Sequence, residues 1–124
     1  MTSTPLVFIL FLATNAMLNK LLKKNIQQPR PKDCSSYLRK SYGMPSGHSQ
    51  HASFTAAFVW WDASYVQKVV LVLATLTTLV QRVVTKCHTV AQVLTGLAVG
   101  VTYGLLTYHL SKKIMPTNGL YLLR

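Results

Sequence analysis

Four long apolar stretches, separated by short polar segments, dominate this chain of 124 residues. They run over residues 5–22, 49–65, 66–85 and 89–110. A helix needs roughly 20 predominantly apolar residues to cross a bilayer, with a range of about 17–25. The length of each run and the lack of apolar–polar alternation favour helix over strand. We therefore predict an all-α, polytopic transmembrane helical bundle of about four membrane helices, forming a single domain over residues 1–124.

Four crossings determine the side of the membrane on which each polar segment emerges. The loop at 23–48 and the turn at 82–88 fall on one side, whereas the turn at 61–68 and the C-terminal end fall on the other. In the fourth stretch, glycine recurs every four residues, at Gly96, Gly100 and Gly104. Small residues at this spacing give a smooth helix face that lets another helix approach closely. We assign this face to packing and not to chemistry.

Carboxylates are scarce, which excludes several kinds of hydrolase. Asp33 and Asp62 are the two acids against 13 Lys and Arg residues, and the formal net charge is +11. Two-metal phosphatases need clusters of acidic and histidine ligands, and aspartyl-phosphate enzymes need a carboxylate nucleophile. A soluble chain this basic would suggest nucleic acid as its partner. Here the basic residues lie between apolar stretches, which favours a membrane protein that handles anions and does not bind nucleic acid.

Cysteine usage gives little support to zinc or redox chemistry. Cys34 and Cys87 are the two cysteines, so they allow one disulfide at most, and they form no C-x-x-C pair. We predict two ordinary thiols. A metal site built from His48, His51 and His88 is a less favoured alternative, and His51, which matches no motif, is predicted to be an interfacial residue.

Three polar clusters lie on the side of the membrane shared by the loop and the turn. They read KKNIQQPRP, PSGH and QRVVTKCHTVAQ. Arginine offers a planar fork of donors that matches phosphate oxygens, and lysine adds a point charge. A glycine at the start of a helix lets the backbone N–H groups approach an anion, and a serine adds a hydroxyl donor. The residues predicted to bind phosphate in this way are Lys23, Arg30, Ser46, Gly47 and Arg82.

Two histidines in these clusters, His48 and His88, supply the remaining credible nucleophile, because the chain has no carboxylate or thiolate suited to attack. One histidine is expected to attack phosphorus while the other protonates the leaving oxygen. Gln92 lies four residues after His88, so on a helix its amide oxygen can accept a hydrogen bond from one ring nitrogen and aim the other at phosphorus. Arg82 and His88 are six residues apart, which predicts a turn between them.

The three clusters together resemble the signature of a known family. In order along the chain, the matching parts are Lys23-x6-Arg30-Pro31, Pro45-Ser46-Gly47-His48 and Arg82-x5-His88. Their order and spacing are similar to the three-part signature of the lipid phosphate phosphatases, the type 2 phosphatidic acid phosphatase superfamily. Within it, the stretches YGMPSGHSQ and HTVAQVLTG look most like the dolichyl diphosphatase branch.

This resemblance implies an integral membrane enzyme that hydrolyses a lipid phosphate or diphosphate, most closely a polyisoprenyl diphosphate of the dolichyl type. It implies that His88 is the nucleophile, which forms a phosphohistidine, and that His48 is the general acid. The five phosphate-binding residues given above would hold the phosphoryl oxygens. The resemblance also implies a reaction without a metal or other cofactor and, for a eukaryotic or viral source, a place in the endoplasmic reticulum membrane.

Two departures from the family pattern favour other functions. Gln81 stands where the family usually has serine, and one apolar stretch precedes the lysine motif where the family usually has two. These features favour a catalytically inactive relative that binds lipid phosphates. A further alternative is a small basic scaffold or pore protein that assembles through the glycine face at 96–104.

The distribution of basic residues bears on orientation. Nine lysines and arginines lie on the side of the three clusters and four on the other side. The positive-inside tendency would place the clusters in the cytoplasm, whereas the resemblance to dolichyl diphosphatase implies the lumen of the endoplasmic reticulum. Both orientations are left open by the sequence.

Overall fold

A computed structural model describes residues 4–115 of the chain, which form four α-helices and one short 3-10 helix, with no strand in that range. The α-helices are α1 (Thr4–Ile26), α2 (Gly47–Val59), α3 (Tyr65–Val84) and α4 (Val90–Ile114). The 3-10 helix, Leu38–Lys40, lies in the loop between α1 and α2. The predicted all-α fold is confirmed. The predicted loop begins at residue 23, but α1 continues to Ile26, so Lys23 lies on a helix.

Three of the four helices are long and apolar enough to cross a membrane: α1 over Pro5–Ile26, α3 and α4. Many of their apolar side chains face outwards, as expected where lipid is the solvent. The chain is a multi-pass integral membrane protein.

The second helix is shorter than its apolar sequence predicts. The expected spanning segment was 49–65, but α2 has 13 residues, which is about 20 Å of helix against the about 30 Å of a bilayer's hydrocarbon core. The chain turns after Val59, where the backbone N–H of Asp62 donates to the Val59 carbonyl at 3.2 Å. Ser64 then caps α3 through a reciprocal capping box with Gln67. A polar turn and a helix cap therefore end α2 before it reaches the length of a bilayer's hydrocarbon core.

The glycine face of α4 packs against α2 within the same chain. A Cβ atom at Gly96 would lie 2.5 Å from the Ser46 carbonyl oxygen, and one at Gly104 would lie 2.7 Å from the Phe54 carbonyl oxygen. Only a residue without a side chain permits this approach. The packing role predicted for this face is confirmed, and because Gly96, Gly100 and Gly104 are buried, the face is not available for assembly with a second copy.

Buried amide side chains join α1 to α2 next to the aromatic core formed around Phe54 and Phe58. Gln50 donates from Nε2 to the Asn15 Oδ1 at 2.8 Å, and its Oε1 accepts from the Asn19 Nδ2 at 2.9 Å. Such bonds satisfy polar groups away from water. They also fix the first turn of α2 against the segment of α1 from its midpoint at Asn15 to Asn19.

The polar segments meet as the four-helix topology predicts. Arg30, in the loop after α1, donates from Nη1 to the Cys87 carbonyl in the α3–α4 turn at 3.2 Å. At the opposite end of the bundle, Asp62 pairs with Lys112 at 3.3 Å. The loop and the turn therefore share one end of the protein.

Candidate active site

His88 lies in the tight turn between α3 and α4. Its backbone N–H donates to the Arg82 carbonyl at 3.2 Å, and Lys86 takes a positive φ of 56° to reverse the chain after α3. Thr89 then caps α4. The turn predicted between Arg82 and His88 is confirmed, and it brings a side chain that is only 2% exposed into the interior of the site.

Hydrogen bonds assign the tautomer of His88. Nε2 lies 2.8 Å from the Arg30 Nη1, and Nδ1 lies 3.0 Å from the Gly43 carbonyl oxygen. A guanidinium only donates and a carbonyl only accepts. Nδ1 therefore carries the proton and donates to Gly43, which leaves the Nε2 lone pair facing Arg30.

The surroundings keep His88 neutral. Burial lowers the pKa of the imidazole to about 4, and the nearby charges of Arg30, Lys23 and Arg82 act in the same direction. The hydrogen bond to the Gly43 carbonyl opposes them. The lone pair on Nε2 is thus available at neutral pH, which is the state that a nucleophile needs.

Arg30 is held in place by three further contacts besides the histidine. Its Nε donates to the Ser41 carbonyl at 3.1 Å and its Nη2 donates to the Ser41 Oγ at 3.0 Å, while Nη1 also reaches the Cys87 carbonyl. The loop thus fixes the plane of the guanidinium before any ligand arrives.

A cavity of about 500 Å³ opens in front of the two motif histidines. Seven residues line it: Lys23, Arg30, Gly47, His48, His51, Thr78 and His88. Five of these are residues that the sequence predicts for the site. The remaining two, one from α2 and one from α3, were not predicted.

Two predicted phosphate-binding residues, Ser46 and Arg82, are not among the residues that line the cavity. Ser46 is fully buried, and its hydroxyl accepts a hydrogen bond from the Ser49 Oγ at 3.0 Å. Arg82 has a buried Nε–H with no acceptor among the described residues, while its Nη1 reaches the Gln81 Oε1 at 3.4 Å. A buried donor without a partner is costly, so Arg82 retains an unused donor beside the site.

Gln92 does not contact His88, contrary to the prediction from their spacing. Its Oε1 accepts from the Thr89 backbone N–H at 3.2 Å in a capping box. Its Nε2 donates to the Gln28 Oε1 at 2.8 Å and to the Pro29 carbonyl at 2.9 Å. The turn before α4 rotates His88 away from the face that carries Gln92, and the Gly43 carbonyl orients the imidazole instead.

Two further residues at the site were missed by the sequence reasoning. Gly43 passes so close to Gln92 that a Cβ atom would lie 2.6 Å from its amide group, which explains a glycine there. His51 lines the cavity, and its Nδ1 lies 2.7 Å from the Gly47 carbonyl oxygen. The spacing of three residues from His48 to His51 was a usable signal, since such residues share a helix face.

An apolar groove of about 380 Å³ continues from the cavity between α1, α2 and α3. His51 and Thr78 line both spaces, and Leu12 and Leu71 form part of the apolar wall. The cationic cavity therefore opens directly onto a surface suited to a hydrocarbon chain. Among residues 4–115, no three His, Cys, Asp or Glu side chains lie close enough together to hold a metal ion.

Comparisons with known proteins match this arrangement. The model of the PAP2 superfamily matches residues 4–116. The dolichyldiphosphatase of Saccharomyces cerevisiae (strain ATCC 204508 / S288c) is 29% identical over 112 residues, which cover 77% of this chain and 47% of the yeast protein. The crystal structure of the transmembrane PAP2 type phosphatidylglycerolphosphate phosphatase from Bacillus subtilis superposes with a TM-score of 0.78 at 25% identity, covering 94% of this chain and 63% of the bacterial one.

The chain thus spans about half the length of the yeast relative and less than two thirds of the bacterial one. The family model nonetheless covers nearly the whole chain, including all three clusters. On that match, and in agreement with the resemblance seen in its motifs, the chain belongs to the PAP2 superfamily of membrane phosphatases.

Proposed function

We propose that this protein hydrolyses a polyisoprenyl-type lipid diphosphate through a phosphohistidine on His88, without a metal ion. The observation that carries the proposal is the Nε2 lone pair of His88, which lies within a cavity of cationic donors. The two carboxylates, Asp33 and Asp62, support the metal-free reaction, because each pairs with a lysine. The dolichyl diphosphatase branch that the sequence resembles favours the endoplasmic reticulum membrane for a eukaryotic or viral source.

Phosphate binding would change the partner of Arg30. In the free protein, its Nη1 donates to the Nε2 of His88. A phosphoryl oxygen is a stronger, charged acceptor than a neutral imidazole, so the guanidinium would donate to the substrate instead. This exchange uncovers the lone pair only when a phosphoryl group is in position. Lys23 and the start of α2 at Gly47 would hold the other equatorial oxygens.

The proposed reaction proceeds in two displacements. Nε2 of His88 attacks the terminal phosphorus in line, the bridging P–O bond breaks, and His48 gives its proton to the departing lipid monophosphate. His48, now neutral, accepts a proton from a water molecule that attacks the phosphohistidine. Inorganic phosphate leaves, and His88 returns with its Nε2 lone pair. Gln92 would position the Arg30 segment through Gln28 and Pro29.

The shape of the site supports a lipid as the substrate. The groove that meets the cavity at His51 and Thr78 has a mostly apolar surface, to which two leucines and two alanines contribute: Leu12, Leu71, Ala52 and Ala74. A diphosphate would place its terminal phosphate beside His88 and its proximal phosphate near His51. The hydrocarbon chain would then leave along the groove between α1 and α3.

The experiment that tests the proposal measures phosphate release from a polyisoprenyl diphosphate by the detergent-solubilised protein with a chelator present. Wild type is compared with His88→Ala and with His109→Ala, a matched loss of an exposed histidine on α4. We expect chelator-resistant release from wild type and His109→Ala and none from His88→Ala. Turnover by a folded His88→Ala protein would refute the assignment of the nucleophile. Lipid diphosphate binding without release by wild type would identify an inactive relative.

A further inference from the structure

The two cysteines of the chain meet beside the active site. The Cys34 Sγ contacts the Cys87 Sγ at 3.0 Å, although the two residues are 53 positions apart in sequence. Both side chains are buried, at 3% and 7% exposure, and both are free thiols in this structure. Cys87 directly precedes His88, and Cys34 follows the Arg30-Pro31 segment. The prediction of two unremarkable thiols does not account for this contact.

We propose that Cys34 and Cys87 form a disulfide that ties the segment carrying Arg30 to the turn carrying His88. This modification site is independent of the proposed function, because it concerns how the two segments are held together and not what they act on. The sulfur atoms need to approach by only about 1 Å to reach bonding distance.

Other contacts already join the same two segments. Arg30 donates to the Cys87 carbonyl at 3.2 Å, and Lys86 pairs with Asp33 at 3.7 Å on the exposed side of the contact. The Cys34 backbone N–H donates to the Pro31 carbonyl at 3.1 Å, which fixes the direction of the Cys34 side chain. A covalent bond here therefore requires no rearrangement of the segments. The disulfide would stabilise this arrangement of the two segments. Without it, the segments are joined by an exposed ion pair and single hydrogen bonds, which contribute little to stability.

The two thiols are chemically unequal, which favours one of them as the first to attack a disulfide. The hydrogen bond donated by Cys34 lowers the pKa of the Cys87 thiol, whereas burial raises the pKa of the Cys34 thiol. The Cys87 thiolate would attack a small disulfide such as oxidised glutathione and release one glutathione thiol. Cys34, on losing its proton, then attacks the Cys87 sulfur of the mixed disulfide and releases the second. The net reaction converts two protein thiols and one oxidised glutathione into one protein disulfide and two reduced glutathiones.

This bond would also decide the orientation that the sequence left open. Disulfides persist in oxidising compartments and are rare where glutathione is kept reduced. A stable Cys34–Cys87 bond would therefore place the active-site end of the bundle on the oxidising side of its membrane. Because both sulfur atoms are buried, exchange would take place whenever the loop opens from the turn, both during folding and in transient openings of the folded protein.

The test is a thiol count on the purified full-length chain. Reduced protein is equilibrated with an excess of oxidised glutathione, and the exchange is quenched with acid. The protein is then denatured and alkylated with N-ethylmaleimide, and its mass is measured by mass spectrometry. We expect oxidised wild type to have the mass of an unmodified monomer, with no alkyl group and no glutathione attached. After reduction, the same protein should take up two alkyl groups. A peptide linking the segments around Cys34 and Cys87 should be recovered from the oxidised sample.

Single variants provide the controls, since the chain has only two cysteines. Cys34→Ser and Cys87→Ser each retain one thiol and should gain one glutathione or one alkyl group. Reducing agent should lower the melting temperature of oxidised wild type and leave that of the double variant, Cys34→Ser with Cys87→Ser, unchanged. The proposal is overturned if oxidised wild type keeps two alkylatable thiols or carries glutathione on each cysteine. It is equally overturned if reduction does not alter the melting temperature of protein that holds the bond.

Discussion

The guanidinium of Arg30 lies 2.8 Å from the Nε2 of His88 and so covers the lone pair proposed to attack phosphorus. The two residues are 58 positions apart in sequence and come from different polar clusters. One residue thus covers the proposed nucleophile in the free protein and, in the proposed reaction, would also hold the phosphoryl group. This arrangement would couple binding of the phosphoryl group to exposure of the Nε2 lone pair.

Arg30→Lys should reduce kcat/KM by about 10²–10³-fold, because an ammonium group replaces a guanidinium that is fixed by Ser41 and can donate to two acceptors at once. Steady-state kinetics with a lipid diphosphate provide the measurement. Arg39→Lys is the matched control, since Arg39 is exposed in the same loop and its exchange should leave kcat/KM within about twofold. Unchanged kcat/KM in Arg30→Lys would show that charge alone, and not the guanidinium geometry, matters, and equal losses in the two variants would show that the effect is not specific to Arg30.

The pKa of about 4 for His88 gives a pH prediction with a definite sign. The neutral form is reactive, and it persists as pH falls until the folded-state pKa is reached. Its contribution to activity should therefore be lost near pH 4 and not near the ordinary value of about 6.5. Imidazole ¹⁵N resonances of histidine-labelled protein should show an Nδ1–H tautomer at pH 6. A His88 midpoint near 6.5 would contradict the described environment.

Gln92→Ala should destabilise the protein by about 2–4 kcal/mol, because it removes a helix cap and a fully buried side chain and leaves its part-buried acceptors on Gln28 and Pro29 without a donor. It should also lower kcat/KM by displacing the Arg30 segment, while the His88 tautomer stays unchanged. Thermal unfolding and kinetics measure the two effects.

Gln67→Ala is the matched control for Gln92→Ala. It removes the same kind of capping box from α3, at the end of the bundle far from the cavity, so we expect a loss of stability without a loss of kcat/KM. A change in the pKa of His88 in the Gln92→Ala variant would instead support the direct contact between Gln92 and His88 that the sequence spacing predicts.

The motifs at Arg30, His48 and His88 were recognisable from the sequence because together they occur in the order and spacing of the family signature, whereas PSGH alone would be weak evidence. The groups that contact these motif side chains could not be recognised from the sequence. The Gly43 carbonyl orients His88 through a backbone atom, and any residue type carries a carbonyl. Gln92 was assigned to the wrong partner because helix spacing was applied across a turn. The short α2 was hidden by an apolar run that continues past Val59, where a cap and a turn override hydropathy.

His51→Leu should raise KM for a lipid diphosphate by about tenfold, because it removes a polar group where the cavity meets the groove. The effect on a lipid monophosphate should be smaller, since only a diphosphate would place a second phosphate there. His109→Leu serves as the control for the loss of a histidine from a helix. An equal rise in KM for both substrates would place His51 outside the proximal phosphate site.

The first turn of α2 sits well inside the bundle, and this depth has a consequence for the path of the substrate. Gly47 lies beside Asn19 of α1. Ser46, which precedes Gly47, lies beside Gly96 of α4. Thr78 of α3 lines the same cavity as Gly47. Each of these neighbours is six or seven residues from the nearer end of its helix, or about 9–10 Å along the axis. In the proposed reaction, the phosphorus chemistry would take place below the rim formed by the three long helices. A lipid would then bring its headgroup to the cavity by moving sideways within its own leaflet, and the water molecule and the freed phosphate would have to travel between the solvent and the site.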